Sequence, residues 1–330
     1  MSQHDSPFHD DEIAVQARLG IADKVARYGN GFIRSMMPEQ HREFFRQLPM
    51  IVIGIVDKNG YPWSIPLYGK VGFIESPHDQ QLTINALPNL VSGLGLKFNV
   101  GQKIGMLGIE LETRRRNRMN GVIGTISTPN APSNGTGSFT INVDQSFGNC
   151  PQYIQKRTFD YDTLNQTEDP KKSEELNSLT LENKLPHEAK TLIESTDTFF
   201  IASRTIEFSD DPRTGIDSSH RGGKPGFVKV VGNNLYFPDF SGNKFFNTIG
   251  NIVSDGRVGL YFPDYSTGDV TFLIGHAKID WDSSASTRIE GAERIVAVDI
   301  EKSVFIPNYL PAKGELIEHS PALNNTGVWR

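Results

Sequence analysis

The sequence predicts a mainly β chain with peripheral helices, built as two similar antiparallel barrels in tandem. Three observations carry this. Short apolar runs rich in β-branched residues recur between Gly-, Asn- and Pro-bearing turns. The same order of segments occurs twice. Gly (31) is frequent, and Phe (20) outnumbers Trp (3) and Tyr (9) together, which favours turns and strands over long helices.

The first half opens with helix-like sequence. Asp10 or Asp11 can cap a helix over residues 10–28, where Ile13, Ala17, Ile21 and Val25 recur at near-helical spacing. A second helix is expected over 38–48, with Pro38 at its start. Strands are then expected at 50–56, 63–68, 82–86, 103–111, 118–126 and 138–143, with a loop at 130–137. Residues 160–185 are polar and apolar-poor and read as a linker. This divides the chain into 1–159, 160–185 and 186–330. The second half restarts with a helix over 186–195, strands at 198–203, 227–231, 235–238, 257–262, 270–281 and 294–300, and a helix over 244–253.

Six features recur in order. Each half has a helix that leads into an apolar strand, Ile51-Val52-Ile53-Gly54 against Phe199-Phe200-Ile201-Ala202. Gln81-Leu82-Thr83-Ile84 matches Asn234-Leu235-Tyr236-Phe237. Gly105 and Gly121 have the spacing of Gly259 and Gly275, in strand-like sequence. Pro151-Gln152-Tyr153-Ile154 matches Pro307-Asn308-Tyr309-Leu310. A pseudo-dimer within one chain is the simplest reading.

Composition narrows the function. With 37% hydrophobic and 22% charged residues, the chain reads as globular. A net charge of −6 supplies no global field for nucleic acid or an anionic membrane. No apolar run approaches the ~20 residues of a membrane span, and residues 1–12 lack a signal-like apolar stretch. One cysteine, Cys150, excludes an intrachain disulfide, and a cytoplasmic location is expected. The three Asn-x-Thr triplets at Asn134, Asn165 and Asn324 then read as chance. The eight His show no metal-ligand spacing, and no nucleotide-binding glycine motif is present.

Two segments could hold an anion. In the first, His220-Arg221-Gly222-Gly223-Lys224 puts cations beside glycines that let backbone N–H groups approach closely. Ser241-Gly242-Asn243-Lys244 follows and is expected to open a helix, whose free N–H groups favour phosphate. The second is Arg114-Arg115-Arg116-Asn117-Arg118. In a strand Arg114, Arg116 and Arg118 would share a face, repelling one another unless an anion meets them. Glu110 and Glu112 are alternative partners. Cys150 reads as a small buried hydrophobe, and His276 as structural within an apolar strand.

The order FFIASR, SHRGGKPGFVKV, LYFPDFSGNKFFNTIGN, RVGLYFPDY and FLIGHAKI resembles the FMN-binding split-barrel family related to pyridoxamine 5′-phosphate oxidase, in its oxidase-like branch. The likeness spans residues 186–310 and extends more weakly into the first half. It implies tandem Greek-key split β-barrels with FMN at a barrel–barrel interface. It also implies that Ser241, Asn243 and Lys244 meet the phosphate, and that Asp239 lines the ring. Ser219, His220, Arg221 and Lys224 would lie near ring or phosphate, with His220 a candidate proton donor. The chain's end, HSPALNNTGVWR, departs from the substrate-binding segment of pyridoxamine phosphate oxidases proper, so the vitamin B6 reaction is not carried over.

The expected activity is an FMN-dependent oxidoreductase acting with a small-molecule substrate or an electron donor such as NAD(P)H, in a chain that could dimerise further. A non-catalytic flavin-binding or electron-transfer module is the alternative, as is the same barrel carrying haem or a deazaflavin. The first half lacks the anion-ready turns, having GYPWSIPLYG and ALPN in their places. Arg114 and Arg116 are therefore expected to reach across to one FMN held mainly by the second barrel.

Overall fold

The computed structural model describes residues 6–87, 89–128, 137–161, 170–281 and 284–329. Asn134, Asn165 and most of the expected 130–137 loop lie outside them. The first half contains α1 (Asp10–Arg18), α2 (Ala22–Phe32), α3 (Glu39–Arg46), β1 (Met50–Val56), β2 (Pro62–Tyr68), β3 (Ile74–His78), β4 (Gln81–Ile84), α4 (Asn89–Gly93), β5 (Lys103–Glu110), β6 (Arg115–Ser127), β7 (Ser138–Gly148) and β8 (Lys156–Phe159). Then come α5 (Pro170–Asn177), α6 (His187–Ser195), β9 (Thr198–Arg204), β10 (Ile216–Gly222), β11 (Lys229–Val231), β12 (Asn234–Phe240), α7 (Asn247–Ser254), β13 (Arg257–Pro263), β14 (Val270–Asp280), α8 (Ala285–Arg288), β15 (Ala292–Ile306) and β16 (Gly314–Glu318).

The fold is mainly β, with two seven-stranded antiparallel sheets in tandem, as the repeat predicts. Their orders, β2-β1-β5-β6-β7-β4-β3 and β10-β9-β13-β14-β15-β12-β11, are the same order twice. The register repeats as well. Ile104 pairs with Gly121, and Val258 with Gly275. A bulge at Gly121 recurs at Gly275. There each glycine lies against a carbonyl of the neighbouring strand, of Asn142 or Asp299, at a distance no Cβ would tolerate. A third, two-stranded sheet joins β8 to β16.

Two expectations are corrected. The helix over 10–28 is two helices, because Gly20 turns the chain at φ +70°. Part of the expected linker is helical, and Leu176, Leu179 and Leu181 pack on the first core. His276 faces outward at the end of its apolar run and is half exposed, bonded to the Tyr61 hydroxyl of the other half (2.9 Å).

The halves meet through reciprocal close contacts. A Cβ on Gly105 would lie 2.3 Å from the Ile216 carbonyl oxygen, and one on Gly259 would lie 2.0 Å from that of Pro62. Each half thus presents a glycine of its central strand to the first residue of the other's β2-type strand. Lys103 and Arg257, each two residues before its glycine, clasp the opposite hairpin. Lys103 Nζ donates to Asp211 O (3.3 Å) and Arg257 to Asn59 O (3.0 Å).

Gly259→Ala should therefore destabilise the chain by about 1–3 kcal/mol, the usual cost of overpacking. Gly31→Ala, on a helix with open space around it, should not. Denaturant unfolding of the two variants checks this.

Candidate functional site

The halves enclose an open cleft lined by residues of both. The second half contributes Ser219, His220 and Arg221 from β10, Asp239 and Phe240 from β12, the Gly242–Lys244 turn and the start of α7. The first half contributes Arg116 and Arg118 from β6 and the loop of Asn149, Cys150 and Tyr153.

Arg118 is compensated. It is 5% exposed, bonds Asp217 Oδ1 (3.0 Å) and also donates to the Ser219 hydroxyl. Asp217 accepts further from Asn120 (2.8 Å) and Asn251 (2.6 Å). Arg116 is different. Its Nε donates to the Cys150 carbonyl (2.7 Å) and its Nη1 to His220 Nδ1 (3.2 Å), and among the described residues no carboxylate pairs with it. Burial, with repulsion from Arg221, lowers its guanidinium to about 9. Arg221 is also lowered by burial; Asp239, 3.9 Å away, opposes the shift, and the Arg221 Nε is a buried donor without a partner.

Burial and the neighbouring Arg116, Arg221 and Arg157 hold His220 well below the usual histidine range. This favours the neutral imidazole, which still carries one ring N–H. A guanidinium only donates, so Nδ1 accepts and the ring proton lies on Nε2, itself buried and unpartnered. Lys244 pairs with Glu293, which also takes Arg294 (3.0 Å), and Arg294 pairs with Asp239. Among the described residues, Arg116, Arg118, Arg221, Lys244 and Arg294 thus face Asp217, Asp239 and Glu293 alone. Two positive charges are left over in a partly desolvated cleft, a combination that favours a multiply charged anion.

The backbone is strained at the same place. Tyr153, Lys244 and Phe246, with φ of 65°, 65° and 64°, are three of the five non-glycine residues at positive φ among the described residues. The Ser241–Lys244 turn does not open the helix as expected. Phe245 and Phe246 are buried after it, and α7 begins at Asn247.

The structure gathers Ser219, His220, Arg221, Asp239, Asn243, Lys244 and Arg116 in the cleft. It does not bring in three other candidates. Lys224 donates to the Thr326 carbonyl (2.6 Å). Ser241 bonds Glu293, and its carbonyl accepts from the Tyr153 hydroxyl (2.9 Å). Arg114 lies in the turn before β6 at φ 60°, so strand alternation does not apply to it. It binds the Ile154 and His319 carbonyls (2.9 and 3.1 Å) and the Glu318 carboxylate (3.2 Å). Sequence reasoning missed Asn149, Tyr153, Asn247, Thr248 and Glu293. Only the duplicated Pro-x-Tyr turn pointed toward Tyr153.

The equivalent place in the other copy is filled. Ser64 and Ser218 correspond, since each pairs with the residue opposite its half's interface glycine. Ser219, His220 and Arg221 then correspond to Ile65, Pro66 and Leu67, and Arg116 and Arg118 to Val270 and Phe272. Ile65, Leu67, Val270 and Phe272 are wholly buried in the larger core.

No family model matches the chain, and no curated protein sequence matches it. Solved structures do resemble it. HupZ of Group A Streptococcus is 13% identical over 37% of this chain and 94% of its own, with a TM-score of 0.29. General stress protein 26 of Bacillus anthracis is 14% identical over 39% and 97%, with a TM-score of 0.26. An FMN-binding protein of Syntrophomonas wolfei is 9% identical over 41% and 96%, with a TM-score of 0.27.

Two substitutions separate the arginines. Arg118→Met strands the buried Asp217 and should cost about 3–5 kcal/mol of stability. Arg116→Met removes a half-buried charge that lacks a carboxylate partner and should leave the ligand-free chain as stable as before, or more so. Unfolding of both variants in urea gives the comparison.

Proposed function

We propose that this cleft binds FMN, one per chain, and that the protein is an FMN-dependent oxidoreductase drawing electrons from a donor such as NAD(P)H. The observation that carries the reading is Arg116, a half-buried guanidinium that no carboxylate among the described residues pairs with, supplied by one half to a cleft built by the other. A phosphate monoester dianion matches the two uncompensated positive charges. Arg116, Arg221 and the first turn of α7 would hold it, the helix end adding N–H donors that have no intrahelical partner. The resemblance of SHRGGKPGFVKV and LYFPDFSGNKFFNTIGN to the split-barrel family supports the same ligand.

FMN, when bound, supplies hydride and electron transfer. The chain's part is to bind and orient. Neutral His220 keeps one N–H available as a donor, and Phe240 and Tyr153, with rings 5.4 Å apart, wall one side of the cleft. Ser219 ties Arg118 to Thr248 of α7 (3.0 Å). Lys244 is already neutralised by Glu293 and contributes less than Arg116 to holding an anion.

Titration of the purified chain with FMN, followed by flavin fluorescence, should saturate at one equivalent. Arg116→Met or Arg221→Met should weaken binding at least about tenfold, since a charge-assisted contact contributes roughly 1.5–3 kcal/mol. Lys244→Met should weaken it less. Wild-type protein that binds no FMN, or binds two per chain, contradicts the reading.

A further inference from the structure

The N-terminal helix buries polar groups along one face, and that face is directed at one wall of the cleft. His9, Glu12 and Gln16 are 7%, 3% and 1% exposed. Their spacing stacks them on one side of α1 and its cap. Each meets a different residue of the 245–251 segment. His9 Nε2 bonds Asn251 Oδ1 (3.0 Å), Glu12 Oε1 accepts from Asn247 Nδ2 (2.5 Å), and Gln16 Nε2 donates to the Phe245 carbonyl (3.1 Å). The other Glu12 oxygen accepts from the His9 backbone N–H (2.9 Å). Both oxygens therefore accept.

Such burial is costly for a carboxylate, and desolvation raises the Glu12 pKa. Packing is equally specific. A Cβ on Gly250 would lie 2.6 Å from Glu12 Cγ and 2.8 Å from its Cα, so only glycine lets α1 approach α7 this closely. The segment so held carries Phe246, Asn247, Thr248 and Ile249 into the cleft. Through Asn251 the same contacts reach Asp217, and from there Arg118. Nothing in the two sheets requires a buried carboxylate at this position. Leucine or methionine on α1 would pack α7 without the desolvation cost.

We infer that Glu12 is a positioning residue. It sets the first turn of α7 against the cleft and thereby the preference of the site for a phosphate-bearing ligand. The ligand half of this statement rests on the FMN reading above. The positioning half does not.

Two full-length variants test it, Glu12→Ala and Gly250→Ala, the second keeping the carboxylate but expelling α1. Hydrogen exchange of the ligand-free proteins should quicken at residues 247–251 in both, and not in the distant β3–β4 hairpin. FMN should bind about tenfold more weakly, the scale of supporting-residue effects, while riboflavin, which lacks the phosphate, should lose less than about threefold. Unchanged exchange at 247–251 would overturn the positioning role. Equal losses for FMN and riboflavin would reduce Glu12 to general stabilisation and overturn the specificity claim. If the wild-type chain binds no FMN, the functional reading falls and the exchange data still decide the role of Glu12.

Discussion

The structure depends on one steric constraint, the approach of the two halves through Gly105 and Gly259. Each glycine abuts a backbone carbonyl of the other half at a distance that excludes any side chain. This contact brings β10 of one half beside β5 and β6 of the other. Arg116 and His220, 104 positions apart in the chain, become hydrogen-bond partners as a result. A looser interface would leave water between them. Both groups would then be solvated, and the cleft would lose the low dielectric that makes an unpaired guanidinium attractive to an anion.

The backbone is duplicated and the chemistry is not. Both sheets have the same strand order, the same bulge and the same clasp onto the opposite hairpin, yet the arginine cluster faces only one of the two equivalent places. In the other, Leu67, Val270 and Phe272 continue the core from one half into the next. The division has a thermodynamic logic. The apolar copy contributes hydrophobic stabilisation of roughly 25 cal/mol per Å² buried, which can offset the cost of desolvating arginines in the polar copy. The larger apolar core and the cationic cleft thus lie at different ends of one pseudo-symmetric interface.

Much of this was legible in the sequence because it is periodic. The strands over 50–56 and 103–110, the repeated glycine pairs and the helices before each sheet follow from alternation and turn chemistry. The cationic stretch from 114 to 118 was visible too, but its members have three different fates. Arg118 pairs with Asp217, Arg116 is unpaired, and Arg114 secures the chain's last strand. That division follows from which strand lies opposite, and sequence spacing does not reveal it. Likewise Lys244 reads as a phosphate ligand until Glu293, 49 positions away, is found beside it. The polar face of α1 escaped notice because His9, Glu12 and Gln16 look like an ordinary solvated helix surface. Only the glycine at 250 on its partner helix hints otherwise.

The central claim is that the cation left unpaired by the first half exists for an anion held by the second. A crystal structure of the chain grown with FMN tests this most directly. The account predicts a single FMN between the halves, its phosphate within hydrogen-bonding distance of the Arg116 guanidinium. A flavin bound elsewhere, or one whose phosphate lies on the Ser241–Lys244 turn while Arg116 keeps only its contacts with Cys150 and His220, would contradict it.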